Sequence, residues 1–220
     1  MAQLDLIVCD ILAAEAAQAL AIEGLSEVRV VPFAGRCRPG AVSREELCRT
    51  ALPKDGRRFF LLGPCGDPRL ADSLRQETAH RVYSIESCAQ LFLGRELARH
   101  YSADGTILLL PGQMADKVTV QEMLATGNTS KLLLLDTRFD PTLPAGLLDL
   151  AAHLQLPAEI LPVGVEVLGH ILARIVLGLR LEEERARSTT ALSEAIRPSS
   201  DHAMALDLLG DLARTATETE

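Results

Sequence analysis

The chain has no tryptophan, and its 220 residues include only two tyrosines and five phenylalanines. Nowhere do Lys and Arg cluster with aromatic side chains, and the formal net charge is −8. The basic face that displaces counterions from nucleic acid is therefore missing. Long apolar runs are scarce too. The best candidate, VGVEVLGHILARIVLGLRL, is interrupted by Glu166, His170 and Arg174, which argues against a membrane span. The first ten residues, MAQLDLIVCD, carry Asp5 and no Lys or Arg, and their apolar stretch is short of a signal peptide. The expectation is a cytoplasmic protein that engages neither nucleic acid nor membrane.

Paired cysteines are also absent. The five cysteines stand at 9, 37, 48, 65 and 88, an odd number with no repeating interval and no Cys-x-x-Cys. That counts against zinc ribbons, rubredoxin-like sites and thioredoxin-type redox pairs, and in a reducing compartment it favours thiols or ligands over disulfides. There is no GxxxxGK[ST] loop, no GxGxxG after a strand, no HExxH and no GxSxG. The Asp-x-His-x-x-Gly signature of corrinoid-carrying domains is missing as well. Paired acids such as Glu45–Glu46 and Glu182–Glu184 fall on polar helix faces, where solvation explains them better than general acid catalysis.

What is present is an alternation of short apolar runs with helical segments. Strands are predicted at 4–9, 27–33, 58–62, 81–85, 105–111, 131–136 and 158–163. Several are nearly all apolar, as parallel strands covered on both faces are. Helices are predicted near 10–22, 43–51, 68–79, 87–101, 114–126, 143–154 and 164–180, with Pro68 in a first helical turn and Glu86 or Ser87 as a cap. The expected fold is α/β, built of βαβ units around parallel strands, as one domain or as two small lobes divided near 126–131 (TGNTSK). Residues 1–180 form that domain, and 181–220 form a charged helical tail. In the tail Ser199, Ser200 or Asp201 can cap a last helix whose Ala205, Leu208, Leu209 and Leu212 share one face. Such a stripe packs on its own domain, or serves a homodimer or another partner.

The cysteines fall where ligands fall in open α/β sheets, at the carboxyl ends of strands. Cys9 ends the first strand, Cys65 follows the third in FFLLGPCGDP, and Cys88 follows the fourth. Adjacent strands lie about 4.8 Å apart, so such thiols can converge on one metal ion or iron–sulfur cluster with a coordination position left open. Gly63 and Gly66 let the backbone turn sharply against a bulky group. At the start of a helix over 87–101, Cys88 is expected to have its thiolate favoured by the helix dipole. Free cysteines also simply fill cores, and Cys48 in SREELCRTAL reads that way. Cys37, in GRCRPG, is flanked by two arginines and reads either as a reactive thiol or as an accidental surface one. Asp136 and Thr137 end another strand, as hydrogen-bonding groups at the same crevice or as caps of their own turn. The histidines are weaker candidates. His100 is off the Cys88 face of a continuous helix, His170 with Arg174 marks a polar edge, and His80, His153 and His202 lie at segment ends.

Taken in order, LIVCD, VPFAGRCRPG, GPCG, ESCAQLFLGRE, LLPG, LLLLDT and LPVGVEVLGHIL make the chain similar, over roughly 4–178, to the bacterial and archaeal family catalogued as domain of unknown function 1638. The resemblance implies cysteine ligands for a metal (zinc), an iron–sulfur cluster or a corrinoid, and a role accessory to corrinoid-dependent methyl transfer in one-carbon metabolism. A corrinoid protein or methyltransferase is the implied partner. Carried over by position, the ligands are Cys9, Cys65 and Cys88, with Pro111, Gly112, Asp136 and Thr137 around the cofactor. The chain departs from the family pattern in four places. Asp10 stands for a glycine, Arg36 and Cys37 stand near a missing histidine, Gln113 stands for a tryptophan, and the tail after 180 is its own. Cys37 is the candidate to replace the histidine as a ligand. The competing reading is a non-catalytic sensor of a small ligand or corrinoid, or an adaptor that docks through its C-terminal helices. A thiol enzyme using Cys37 or Cys88 as nucleophile ranks last for want of a base.

Overall fold

The computed structural model describes residues 4–35, 37–49, 57–76, 80–114, 120, 124 and 129–196. Parallel strands alternate with helices in the order β1 (Leu4–Cys9), α1 (Asp10–Ile22), β2 (Val28–Phe33), α2 (Arg44–Arg49), β3 (Arg57–Leu62), α3 (Pro68–Arg75) and β4 (His80–Ser84). There follow α4 (Gln90–Leu93), α5 (Arg95–Tyr101), β5 (Thr106–Leu109), α6 (Pro111–Met114), β6 (Lys131–Asp136), α7 (Leu143–Leu154), β7 (Ala158–Pro162) and α8 (Glu166–Ile196). The strands form two all-parallel sheets, one ordered β2-β1-β3-β4 and the other β5-β6-β7. The fold is α/β, as the alternating pattern predicts. The chain divides into two compact units, Met1–Ala173 and Arg174–Glu220, and both sheets belong to the first. Of the second unit the structure describes 174–196, which is helical throughout. The stripe through Leu208 and its cap lie outside the described residues.

The central strands are apolar because both faces are covered. Every residue of β1 is buried, as are Phe59 to Leu62 of β3 and Leu132 to Leu135 of β6. Ile7, Phe33, Phe60 and Leu62 pack with Val42, Leu47 and Leu70 on one face of the first sheet. Leu109, Leu132 and Leu134 pack with Leu147 and Ala151 in the second. The one charge inside β1, Asp5, pairs at 2.8 Å with Arg29, its register partner on β2. A carboxylate is accommodated there because the edge strand supplies the cation. At α3 the side chain of Asp67 accepts from the Arg69 N–H at 2.8 Å and Pro68 opens the first turn.

The boundary expected near 126–131 lies partly outside the described residues; β5 and β6, on either side of it, pair in one sheet, and the sheets divide between β4 and β5. Two expectations change. The helix expected over 87–101 is two short helices, broken at Gly94, whose φ of 75° no L-residue adopts without strain. The angular separation of Cys88 from His100 on one helix therefore has no meaning. The last helix of the α/β domain runs past 180 to Ile196 because its charged second half is still rich in strong helix formers. No described helix is long and apolar enough to cross a membrane.

Candidate functional site

In the first sheet the chain goes from β1 to β2 on one side, then to β3 and β4 on the other. The carboxyl ends of β1 and β3 thus form the point where strand order reverses, the usual seat of a ligand crevice. Each of the four strands delivers a cysteine to that end: Cys9 at the last position of β1, Cys37 beyond β2, Cys65 beyond β3 and Cys88 beyond β4.

Local chemistry explains each placement. Gly63-Pro64-Cys65-Gly66 is a tight turn closed by the Gly66 N–H donating to the Gly63 carbonyl at 3.1 Å, with proline second, where its fixed φ suits a turn. The Cys37 loop is stitched to that turn. Gly40 N–H donates to the Pro64 carbonyl at 3.2 Å, Val42 N–H to the Cys65 carbonyl at 2.8 Å, and Asp67 N–H to the Val42 carbonyl at 3.1 Å. Cys88 lies in the turn before α4, between Ser87 and Ala89, and the Ser87 hydroxyl accepts from the Ala89 N–H at 3.3 Å. Asp10 ties Cys9 in: its Oδ1 accepts from the N–H of Ile11 and of Gly35, both at 2.9 Å, and from the Cys9 thiol at 3.5 Å. A side chain at Gly35 would put its Cβ 1.9 Å from the Cys9 sulfur, so only glycine lets that loop cover it.

Cys37, Cys65 and Cys88 line a cavity of about 220 Å³ together with Arg38, Glu86, Ser87, Leu108, Leu110 and Gln113. Cys9 lies behind it, in electrostatic reach of Cys65 and Cys88. A Cβ at Gly63 would stand 3.0 Å from the Cys88 sulfur and 3.7 Å from that of Cys65, so the bare α-carbon of Gly63 is what leaves the two sulfurs facing a common space. Burial, then the charges of Cys65 and Cys37, push the Cys88 thiol up to about 12; the residue keeps some surface, but protein encloses its sulfur. Burial, then Cys37, raises Cys65. Burial, then Asp10 and the two other thiols, raises Cys9 against the N–H of Ile11. The thiolate-favouring helix dipole expected at Cys88 is therefore overruled, since α4 has only four residues and desolvation dominates. At the cavity mouth Arg95 and Arg99 both bind Glu86 and hold its carboxyl below the usual range.

The remaining sequence candidates divide. Gly63 faces the thiols. A Cβ on Gly66 would meet only ordinary contacts, so its surroundings do not require a glycine. A Cβ on Gly112 would stand 2.3 Å from the carbonyl oxygen of Ile11; Gly112 admits the backbone of α1, and Pro111 beside it is buried. Asp136 caps its own turn, accepting from the Arg138 N–H at 2.8 Å, and the buried Thr137 hydroxyl has no partner among the described residues. Pro111, Gly112, Asp136 and Thr137 do not line the thiol cavity. Cys48 sits in α2, with its side chain outside the described residues. His170 pairs with Glu23 at 2.9 Å on the surface.

Sequence reasoning passed over Asp10 and Gln113 as site residues. Both had been noted only as departures from a pattern, and their positions one residue past a strand-end cysteine and two past a strand-end proline were the available signal.

The donor types suit a thiophilic centre: three thiols line one cavity, Cys9 is in electrostatic reach of two of them, and no lysine is in the lining. Among the described residues no three His, Cys, Asp or Glu side chains stand close enough to hold an ion as they are. A single tetrahedral zinc needs its sulfurs about 3.8 Å apart, given Zn–S distances near 2.3 Å, whereas a cluster of several metal atoms bridges thiols set further apart. Fold and site thus define a parallel-sheet α/β protein with a thiol-lined cavity at its strand-order reversal. No family model matches the chain, and no curated protein or solved structure matches it.

Proposed function

We propose that the first sheet binds an iron–sulfur cluster, or failing that zinc, through Cys37, Cys65 and Cys88, with Cys9 as the fourth thiol. The observation that carries this is the delivery of one cysteine from every strand of one sheet to the same end. Burial, and then neighbouring thiols, raise the proton affinity of Cys9, Cys65 and Cys88, so a cation bound there would relieve the site and its uptake would be coupled to proton release. The chain's own part would be to hold the thiols in place against the apolar side chains of Leu108 and Leu110, with Arg38 and Ser87 also on the cavity wall. When bound, the cluster would supply electron transfer or an open iron for a reactant.

The resemblance to the family of domain of unknown function 1638 supports a cytoplasmic role accessory to corrinoid-dependent methyl transfer. Its partner would then be a corrinoid protein or methyltransferase. Purification without oxygen, followed by iron, zinc and acid-labile sulfide analysis, tests the site. Iron with sulfide in the wild type, and their loss in folded Cys65→Ser and Cys88→Ser variants, is the expected result. A folded, colourless wild-type protein free of metal would end this reading.

A further inference from the structure

The second sheet also reaches the thiol cavity, through Leu108 and Leu110 and through the turn that follows them. Gln113, in α6 just beyond β5, is buried and has both ends of its amide engaged. Its Oε1 accepts from the Leu110 N–H at 2.8 Å, which fixes the rotamer and, with it, which amide atom faces the thiol. Its Nε2 then donates to the Cys37 sulfur at 3.0 Å. The preceding residue is Gly112, whose missing side chain lets this turn rest on the Ile11 backbone, two residues past Cys9. The turn Pro111-Gly112-Gln113 therefore touches the Cys37 thiol directly and rests on α1 beside the Cys9 strand end. The Cys37 loop has no secondary structure of its own over 37–40, so an external hold on its sulfur has consequences for where that sulfur points.

Resting on the metal-centre reading above, we propose that Gln113 is a positioning residue for that centre. It aims Cys37 into the cavity and, by donating an N–H to the sulfur, withdraws electron density from the metal. Hydrogen bonds to ligand sulfurs are a principal control of reduction potential, and outer partners of metal ligands commonly change affinity by about 10–100-fold. Glutamine is suited to this where a carboxylate is not, because it offers an acceptor to Leu110 and a donor to Cys37 at once.

Gln113→Glu separates the two ends: the carboxylate still accepts from Leu110 but no longer donates to Cys37. Cobalt(II), read through its thiolate charge-transfer band and by competition with a chelator, is the first probe. The variant is expected to bind cobalt about 10–100-fold more weakly than wild type, with a weaker band as Cys37 leaves. In a Cys37→Ser background the same change is expected to have no further effect. If the carboxylate prevents folding, Gln113→Met enters the same cycle. After reconstitution with iron and sulfide, a lower reduction potential in the variant is expected. Equal cobalt affinity, band and potential in wild type and variant would overturn the role of Gln113 alone. So would an equal effect of Gln113→Glu with and without Cys37. A wild type that takes up neither cobalt nor iron would instead overturn the centre itself, and this role with it.

Discussion

At Cys88 burial and two neighbouring thiols act in one direction, and the sign of the consequence can be worked out. Its folded-state value lies near 12 against an ordinary 9.0, so the folded chain holds this proton more tightly than the unfolded chain does. The associated stability is fully present below about pH 9 and is lost as pH rises towards 12. Metal-free protein should lose stability progressively from this thiol across that interval. Urea unfolding at several values between about pH 8 and pH 11 should show the decline, and Cys88→Ser should make it shallower; an unchanged slope in the variant would remove Cys88 as its source. Residue identity made the thiols readable in the sequence, and strand-end position singled out Cys9, Cys65 and Cys88. What composition could not show was the weight of Cys37. Its place in the cavity follows from main-chain hydrogen bonds between its loop and the Cys65 turn, which no residue type announces.

Among the elements, two glycines that look alike in sequence behave differently. Gly66 has room for a methyl group at ordinary distances, while at Gly112 the methyl would stand inside the backbone of Ile11. Gly112→Ala should destabilise the fold by about 1–3 kcal/mol through overpacking, and Gly66→Ala should change it little. Thermal or urea unfolding of the two variants distinguishes them, and the expectation fails if both are silent. All seven strands were readable from the chain because parallel strands covered on both faces leave unbroken apolar runs. The helices α1 and α7 were readable to their ends. The break at Gly94 was not, because glycine inside a helical pattern signals a break only when its φ is positive, and φ is a property of the fold. Nor was the pairing of β5 with β6, since strand order is set by contacts far apart in sequence.

For the whole molecule, the four thiols lie on four separate segments between residues 9 and 88, so a centre bound by them would tie together every strand of the first sheet. A ligand that binds only the folded state adds stability by mass action, about 2.7 kcal/mol at a hundredfold excess over Kd. Metal-loaded protein should therefore unfold at a higher temperature than chelator-treated protein. Hydrogen exchange should slow first in β1 to β4. Equal exchange with and without metal would argue that the thiols close no such tie.

The order of the chain has a consequence for assembly. All five cysteines are synthesised before β5, and the strand on which the first sheet is centred, β1, is made first of all. With domains emerging from the amino terminus at about 5–20 residues per second, the thiol end of the first sheet exists for some seconds without Gln113. A metal loaded in that interval would meet a Cys37 loop that nothing from the second sheet yet holds, before the Pro111-Gly112-Gln113 turn arrives. A nascent chain halted before that turn would thus present the Cys37 thiol without the Gln113 amide that meets it in the finished fold.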